Sequence, residues 1–312
     1  MHEHDGGDRA ARGHGGYGGG AVSARLREIA RETEGIVAAG GYRAPGGHEV
    51  SLAARIDAAR DGTRTYGPEP VAVPAFRPAV TRFEVTGESS FEAARRLAGA
   101  TAVLNFASAR NPGGGYLNGA QAQEEALCRA SALYTCLRRA PGFYDHHRAH
   151  RDPFYTDRVI HSPAVPVFRD DRGRLLDVPF TAGFLTSPAP NAGVVLRTAP
   201  ERAGELPHAL GARAGRVLET AAVHGYRRLV LGAWGCGVFR NDPAQVAAAF
   251  RTHLAPGGRF AGAFEHVAFA ILDRTREGTV RAAFERTLAD LLSGPPGVSS
   301  SRTAPAAADV RG

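Results

Sequence analysis

The chain has 312 residues, enough for one or two domains of ordinary size. Its 43% hydrophobic and 22% charged residues provide a core and exclude a globally disordered protein. The formal net charge is +7, and all 38 basic residues are arginine, which a genome-wide compositional bias explains. The longest uncharged apolar run, residues 229–239, is too short to cross a bilayer, so we expect no membrane association.

Cysteine usage and the first residues bear on the compartment. The chain starts with polar residues and glycines rather than with the charged and then apolar pattern of a signal peptide. Its three cysteines, Cys128, Cys136 and Cys236, suit a reducing compartment better than a disulfide framework. We therefore expect a cytoplasmic protein. The positive charge is compatible with a nucleic acid or another polyanion as partner, and composition alone does not choose between them.

Both ends of the chain are predicted to be disordered tails. Residues 1–22 are rich in glycine and histidine, and residues 294–312 are rich in proline, serine and alanine, so neither buries enough apolar surface to offset ordering. Between them, residues 23–78 are predicted to form a helical N-terminal extension, and residues 79–293 a catalytic domain.

The predicted elements alternate along the chain. In the extension, helices are predicted at 23–39 and 51–60, followed by Pro-rich extended chain at 68–78. The later predicted strands are 82–85, 102–106, 158–168, 180–186, 229–231 and 267–272. The later predicted helices are 89–98, 120–139, 201–224, one that starts at Asp242, and 278–292. Capping patterns mark two of the starts, Ser89 with Glu92 and Asp242 with Pro243 and Gln245. Strands that alternate with helices predict a three-layer α/β/α sandwich around a largely parallel sheet.

Two glycine-rich loops directly follow predicted strands. Gly113–Gly115 comes after the strand at 102–106, and Gly235–Gly237 after the strand at 229–231. Ligands of open α/β sheets bind at the carboxyl ends of strands, and glycine loops there can turn backbone N–H groups toward a phosphate. Taken singly, each loop fits a tight turn between packed elements equally well.

A pair of glutamates starts the helix after the first loop. Neighbouring helical residues point about 100° apart, so Glu124 and Glu125 cannot perform one task on one face. Glu124 is expected to lie nearer the core. Acids at a helix N-terminus also complement the helix dipole, which is the simpler explanation of the pair.

The two motifs together carry a resemblance to a known family. Gly113-Gly114-Gly115, seven residues and then Gln123-Glu124-Glu125 resembles the signature of the poly(ADP-ribose) glycohydrolases. The flanking residues 105–112 and 126–131 look like the bacterial-type branch, and residues 235–239 with 241–243 match its diphosphate-binding loop. The resemblance covers about residues 23–293. It implies a macrodomain-like fold with a mixed central sheet.

The resemblance also implies a reaction. The substrate would be poly(ADP-ribose), or ADP-ribosylated proteins that carry it, and the product ADP-ribose. Hydrolysis of a glycosidic bond needs a proton for the leaving oxygen. In this family Glu125 would be the general acid/base, Glu124 and Asn111 would hold the hydroxyls of the terminal ribose, and Gln123 would support the loop. No cofactor and no metal are expected.

The remaining site residues implied by the resemblance surround the ligand. Gly113, Gly114 and Gly115 would bind the diphosphate from one side, and Gly235, Cys236, Gly237, Val238 and Phe239 from the other. The ring of Phe239 would lie close to the terminal ribose, and Asn105 is expected among the substrate-binding residues. Glu88 occupies the place of an acidic residue for the adenine amino group, although an ordinary strand–helix turn explains it equally well.

Three other functions are compatible with parts of the sequence. A dinucleotide oxidoreductase needs G-x-G-x-x-G leading directly into a helix, and the order around Gly235 is reversed, so it is rejected. A macrodomain that only binds ADP-ribose would use the same glycine loops but has no need of an acid, so the glutamate pair argues against it. A nucleic-acid-binding protein rests on charge alone.

Other reactive side chains have simpler explanations. Cys236 has no histidine in its motif and is expected to be a small residue in a crowded loop rather than a nucleophile. His146 and His150 could bind a metal at helical spacing, but the arginines around them favour a solvated surface. Trp234 is expected to belong to the core.

Overall fold

The computed structural model describes residues 17–273 and 275–293. Residues 1–16 and 294–312 of the two predicted tails lie outside the described residues. The first helix begins at Tyr17, six residues before its predicted start, so residues 17–22 belong to a helix rather than to a tail.

The described residues form helices, strands and two short 3-10 turns. The helices are α1 Tyr17–Ala39, α2 Ala53–Gly62, α3 Ser90–Leu97, α4 Gln123–Ala130, α5 Leu133–Leu137, α6 Pro141–Ala149, α7 Ala192–Thr198, α8 Leu206–Val223, α9 Pro243–Leu254, α10 Thr279–Thr287 and α11 Ala289–Leu292. The strands are β1 Gly41–Arg43, β2 Glu49–Ser51, β3 Arg64–Tyr66, β4 Arg82–Thr86, β5 Thr101–Phe106, β6 Val159–Arg169, β7 Leu175–Ser187, β8 Arg228–Leu231 and β9 His266–Ala270. The 3-10 turns are Tyr116–Asn118 and Pro200–Glu205.

The central sheet is mixed, as predicted. Its seven strands lie in the order β3-β6-β7-β5-β8-β9-β4. Neighbours from β7 to β4 run parallel, whereas β6 is antiparallel to both β7 and β3. Because of this arrangement, the carboxyl ends of β5, β7, β8 and β9 meet at the same edge of the sheet as the amino end of β6.

Helices cover both faces of the sheet, which confirms the three-layer prediction. Val103 belongs to a core shared with α1 to α6, whereas Ala102 and Leu104 belong to a second core shared with α8, α9 and α10. All three are completely buried. A central parallel strand with helices on both sides has to be apolar on both faces, and that explains the continuous apolar run in this segment.

The two predicted helix caps are confirmed. The Ser89 hydroxyl accepts a hydrogen bond from the Glu92 amide, and the Glu92 carboxylate accepts one from the Ser89 amide. At the start of α9, the Asp242 carboxylate accepts a hydrogen bond from the Gln245 amide, with Pro243 at the first helical position. Each cap satisfies amides that have no partner inside the helix.

The prediction of one long helix at 120–139 is wrong. The segment forms α4 and α5, separated at Ser131, which pairs with Val167 of β6 in an isolated β-bridge. The Ser131 hydroxyl donates to the carbonyl of Leu127 and accepts from the amide of Leu133. A serine side chain that satisfies backbone groups in this way competes with continued helix, and the edge of β6 supplies the other partner. The helix predicted at 201–224 similarly opens with a 3-10 turn before α8.

The predicted N-terminal extension is joined to the rest of the fold. Its strand β3 is the edge strand of the central sheet, and α1 packs against α4 and the 3-10 turn at 116–118. The extended segment after β3 is attached to α8, because the Glu219 carboxylate accepts the Val71 amide and Arg216 donates to the carbonyl of Gly67. Within residues 17–273 and 275–293, no helix combines the length and hydropathy needed to span a bilayer.

Candidate active site

A cleft of about 1460 Å³ opens at the sheet edge where the strand ends meet. Its walls come from the loops after β5, β8 and β9, the start of α4, and the exposed side of α1. The second glycine loop and the glutamate pair, far apart in sequence, line the same cleft. The lining does not include Asn105, Glu88 or the first glycine loop, Gly113–Gly115. Of the predicted site residues, the lining includes Asn111, Gln123, Glu124, Glu125, Gly235, Cys236, Gly237, Val238 and Phe239.

Gln123 connects α4 to the end of β5. Its carbonyl oxygen accepts the amide of Phe106 at 2.9 Å, and its amide nitrogen donates to the carbonyl of Leu104 at 2.8 Å and to the hydroxyl of Ser90 at 3.0 Å. One side chain therefore fixes the start of α4 against both the central strand and α3. The two glutamates that follow depend on this attachment for their position.

Glu124 points toward the sheet and is 2% exposed. Its carboxylate accepts the Ser108 amide at 2.6 Å and the Asn105 side-chain amide at 3.2 Å. Burial raises the pKa of Glu124 to about 8, against the lowering effect of these hydrogen bonds. Asn105 is itself held by Thr186 of β7.

Glu125 lies beside Glu124 and faces the first glycine loop. Its Oε1 accepts the amide of Gly115 at 2.9 Å. Its Oε2 is buried and has no hydrogen-bond partner among the described residues. One oxygen of Glu125 is thus fixed by the protein and the other is left for a ligand. The two glutamates have different contacts, as the angle between neighbouring helical residues predicts.

The first glycine loop passes too close to the carboxylates for side chains. Gly113 and Gly114 have φ angles of +67° and +57°, in the left-handed region. A Cβ atom on Gly114 would lie 2.5 Å from Oε1 of Glu125. The loop continues into Tyr116, whose hydroxyl donates to Glu34 and to the carbonyl of Ala30, so α1 holds the loop from behind.

The second glycine loop forms the facing wall. Gly235 has φ +70°, and a Cβ there would lie 2.5 Å from the amide nitrogen of Asn241, which donates to the carbonyls of Pro190 and Gly235. Gly237 has open space around it. Val238 is 80% exposed at the tip, and the ring of Phe239 turns back toward Tyr155.

Cys236 and Trp234 lie where the sequence predicts, the first half-buried in the second glycine loop and the second in the core. Burial raises the pKa of Cys236 to about 12, which leaves it a thiol rather than a nucleophilic thiolate. Trp234 is fully buried and donates to the carbonyl of Ser187. His146, in the last turn of α6, and His150, directly after that helix, stack with their ring centroids 4.1 Å apart, and His150 is exposed. Among the described residues, no group of three potential metal ligands occurs.

Glu88 does not line the cleft. Its carboxylate pairs with Arg96 at 2.7 Å, and this hydrogen bond lowers its pKa. The cleft is lined nearby by Ser89 and Ser90, and by residues that follow β9, including Leu272 and Asp273.

Sequence reasoning missed two parts of the cleft. Tyr155 lines it because the amino end of β6 lies at this edge, which follows only from the antiparallel pairing of β6 with β7. Residues of α1, such as Arg25 and Ile29, also line it. Their helical spacing predicted a helix but carried no signal about what the helix faces.

Part of the chain matches a known protein family. Residues 30–170 match the family described as microbial-type PARG, catalytic domain, where PARG stands for poly(ADP-ribose) glycohydrolase. None of the curated protein sequences matches the chain.

Solved structures are similar over nearly their whole length. The crystal structure of PARG from Thermomonospora curvata is 50% identical with a TM-score of 0.79, and the match covers 85% of this chain and 99% of that one. The same enzyme bound to the inhibitor ADP-HPD gives 50% identity, a TM-score of 0.77 and coverage of 84% and 99%. PARG from Deinococcus radiodurans in complex with ADP-ribose is 47% identical with a TM-score of 0.70, and the match covers 78% of this chain and 100% of that one. The chain therefore belongs to the bacterial poly(ADP-ribose) glycohydrolase family, as its two glycine loops and glutamate pair predicted.

Proposed function

We propose that Glu125 is the general acid/base with which this chain hydrolyses the ribose–ribose O-glycosidic bonds of poly(ADP-ribose), releasing ADP-ribose. The observation that carries this assignment is the buried Oε2 of Glu125, which has no protein partner although Oε1 is fixed by Gly115. A carboxyl group held by one oxygen can present the other to a glycosidic oxygen.

The reaction then needs little from the protein beyond proton transfer and positioning. Glu125 donates its proton to the leaving ribose oxygen as the C–O bond breaks, and the terminal ribose passes through an oxocarbenium-like state. Glu125 next accepts a proton from the water that attacks the same carbon. This returns the carboxyl group to its starting form and gives free ADP-ribose.

Glu124 and Asn111 are proposed to hold the hydroxyls of the terminal ribose. Because burial raises the pKa of Glu124 to about 8, its neutral form is the major one at pH 7. A neutral Glu124 can donate a hydrogen bond to a ribose oxygen, and it adds no negative charge beside Glu125. Asn105 and Gln123 are proposed to fix α4, through the contacts described above.

The diphosphate is proposed to lie between the two glycine loops, Gly113–Gly115 and 235–239. Backbone amides in glycine turns with positive φ can form anion-binding concavities. The second loop supports this position, because it lines the cleft and leaves open space at Gly237. In the first loop, the amides of Gly114 and Gly115 already donate to Asn111 and Glu125. The ring of Phe239 is proposed to border the terminal ribose. The sequence offers Glu88 as the residue that binds the adenine amino group. Arg96 donates to both oxygens of its carboxylate, so Glu88 can bind adenine only if this ion pair breaks.

The free cysteines bear on the compartment in which the chain acts. We propose that the chain acts in the cytoplasm and that ADP-ribosylated proteins are its partners. The three cysteines, two of them buried within the core as thiols, suit a reducing compartment.

The substitution Glu125→Gln tests the catalytic assignment. We expect release of ADP-ribose from poly(ADP-ribose) to fall by at least about 1000-fold, since the amide cannot donate a carboxylic proton. Affinity for free ADP-ribose, measured by calorimetry, should stay within a few-fold. Glu285→Gln, an exposed glutamate on α10, is the matched control and should behave as the unaltered protein.

Two outcomes separate the alternatives. Near-normal release by the Glu125→Gln variant would refute the role of Glu125. Tight binding of poly(ADP-ribose) by the unaltered chain without any release would instead favour the non-catalytic macrodomain.

A further inference from the structure

The cleft extends beyond the position proposed for the terminal ribose. The strands β9, β8 and β5 end in sequence along the cleft, and α4 places Glu125 above the end of β5. Past β5 come β7 and then β6, whose antiparallel direction brings its amino end to the same edge. The segment just before β6 therefore borders the cleft on the side of the glutamates.

Tyr155, in this segment, joins the two loops that surround the proposed ribose position. Its ring centroid lies 5.9 Å from that of Phe239, and the guanidinium carbon of Arg110 lies 6.0 Å from the Tyr155 ring. Tyr155 has φ +56°, a left-handed conformation that is unfavourable for an aromatic residue. The fold thus maintains a strained backbone that directs this ring into the cleft.

Arg110 provides an unpaired positive charge beside this ring. It lines the cleft, makes no ion pair with any carboxylate of the described residues, and its Nε is buried without a hydrogen-bond partner. Its main chain is held from outside, because Arg148 donates to the carbonyl of Arg110 at 2.6 Å while Asp145 neutralises Arg148. A guanidinium that is partly buried and unpaired suits a phosphate supplied by a ligand.

We infer that Arg110 and Tyr155 form a subsite for the leaving unit of the polymer, the adenosine diphosphate portion that remains on the chain after cleavage. This inference rests on the proposed function and specifies which part of the substrate the glutamate end of the cleft accepts.

The chemistry of the substrate fits the order of the residues. The bond that breaks joins the terminal ribose to the adenosine ribose of the next unit, so adenosine is the first group beyond Glu125 and its diphosphate is the second. An aromatic ring such as that of Tyr155 stacks on a base or borders a ribose, and a guanidinium such as that of Arg110 binds phosphate oxygens. The subsite would retain the polymer while its last unit is removed.

Two substrates distinguish this subsite from the site of the terminal unit. Poly(ADP-ribose) carries the leaving adenosine diphosphate, whereas a fluorogenic aryl glycoside of ADP-ribose carries only a coumarin in its place. For Arg110→Ala, we expect kcat/KM on the polymer to fall about tenfold more than kcat/KM on the aryl glycoside, because a charge-assisted contact is lost with one substrate only. Arg110→Lys, which keeps the charge, should recover part of the difference.

The matched control is Arg286→Ala, an exposed arginine on α10 that does not line the cleft. It removes the same charge and should leave the ratio of the two kcat/KM values unchanged. If Arg110→Ala also leaves the ratio unchanged, whether both kcat/KM values stay the same or fall by the same factor, the inference is overturned. An unaltered chain that hydrolyses neither substrate would instead contradict the proposed function.

Tyr155 gives an independent test. Tyr155→Asn removes the ring but keeps a residue that tolerates left-handed backbone, so the fold should be retained. We expect this variant to lose preference for the polymer, while Tyr155→Phe, which keeps the ring, retains it. Equal substrate ratios in the two variants would overturn the role of the ring.

Discussion

Two adjacent residues with the same side chain have different functions because the fold gives them different surroundings. Glu124 is enclosed by Asn105 and Ser108 at the end of the central strand, whereas Glu125 keeps one oxygen free beside Gly115. The helical angle between neighbours predicts that they diverge, but it does not predict which atoms they meet. The assignment of the acid depends on that second, structural fact.

The close approach of the first glycine loop makes Gly114 a sensitive position. In Gly114→Ala, the added Cβ would meet Oε1 of Glu125 at 2.5 Å, so either the loop or the carboxylate has to move. We expect the rate of ADP-ribose release to fall by about 100-fold or more, because a shift of the order of 1 Å in a catalytic group costs this much. Release from poly(ADP-ribose) under saturating substrate measures the effect.

Gly225→Ala is the control for backbone strain alone. Gly225 has φ +69°, similar to Gly114, but no atom lies within 4 Å of an added Cβ. Both variants should lose about 1 kcal/mol of stability from the left-handed backbone, and only Gly114→Ala should lose activity. Equal activity of the two variants would show that contact with Glu125 does not matter.

Among the elements, α1 supports the catalytic helix although it lies far away in sequence. The fully buried Thr33 donates from its hydroxyl to the carbonyl of Arg129 in the last turn of α4 at 2.7 Å. The same hydroxyl accepts a hydrogen bond from the guanidinium of Arg169 at 3.1 Å. One side chain therefore ties α1 to both α4 and β6.

Thr33→Val tests this connection at nearly constant volume. Valine lacks the hydroxyl, so the buried Arg129 carbonyl and Arg169 guanidinium each lose one hydrogen bond. We expect this loss to lower the free energy of unfolding by about 1–3 kcal/mol. Urea denaturation measures it. Thr252→Val, at an exposed threonine of α9 that bonds only within its own helix, should change stability by less than about 0.5 kcal/mol. A similar change in both variants would show that α1 is not held through Thr33.

Sequence predicted the elements that local chemistry determines and missed those that depend on distant partners. The caps at Ser89 and Asp242 are local, and the helices after them begin where predicted. The break at Ser131 depends on pairing with Val167, a strand residue 36 positions later, and helical periodicity does not contain it. Both glycine loops can be identified from the sequence because their motifs are short. The position of Tyr155 in the cleft follows only from the antiparallel direction of β6.

At the scale of the whole molecule, buried ionisable groups make stability depend on pH. Burial lowers the pKa of His161 to about 3 and that of His147 to about 4. Between those values and the unfolded value of 6.5, the unfolded chain binds more protons, so stability is lost as the pH falls through this range. Glu124 acts in the opposite sense: its raised pKa stabilises the fold most below about 4.5, and this contribution is lost as the pH rises through about 8.

His161 lies where several elements meet. It stacks on His224 with the ring centroids 3.5 Å apart, and its Nε2 lies 2.9 Å from the hydroxyl of Tyr226. His224 in turn lies 2.7 Å from the hydroxyl of Tyr66 in β3. Protonation of His161 would place a charge in this buried stack, so acid should weaken the attachment of β3 and the end of α8 to β6.

His161→Gln removes the titration and keeps a polar group near Tyr226. We expect the fall in unfolding free energy between pH 6 and pH 4 to become shallower by up to about 1.4 kcal/mol per pH unit, the contribution of one proton. Urea denaturation at several pH values measures this slope, which does not depend on the stability lost at neutral pH. His208→Gln, at an exposed histidine of α8, should keep the original slope. An unchanged slope in His161→Gln would mean that acid unfolds the molecule through other groups.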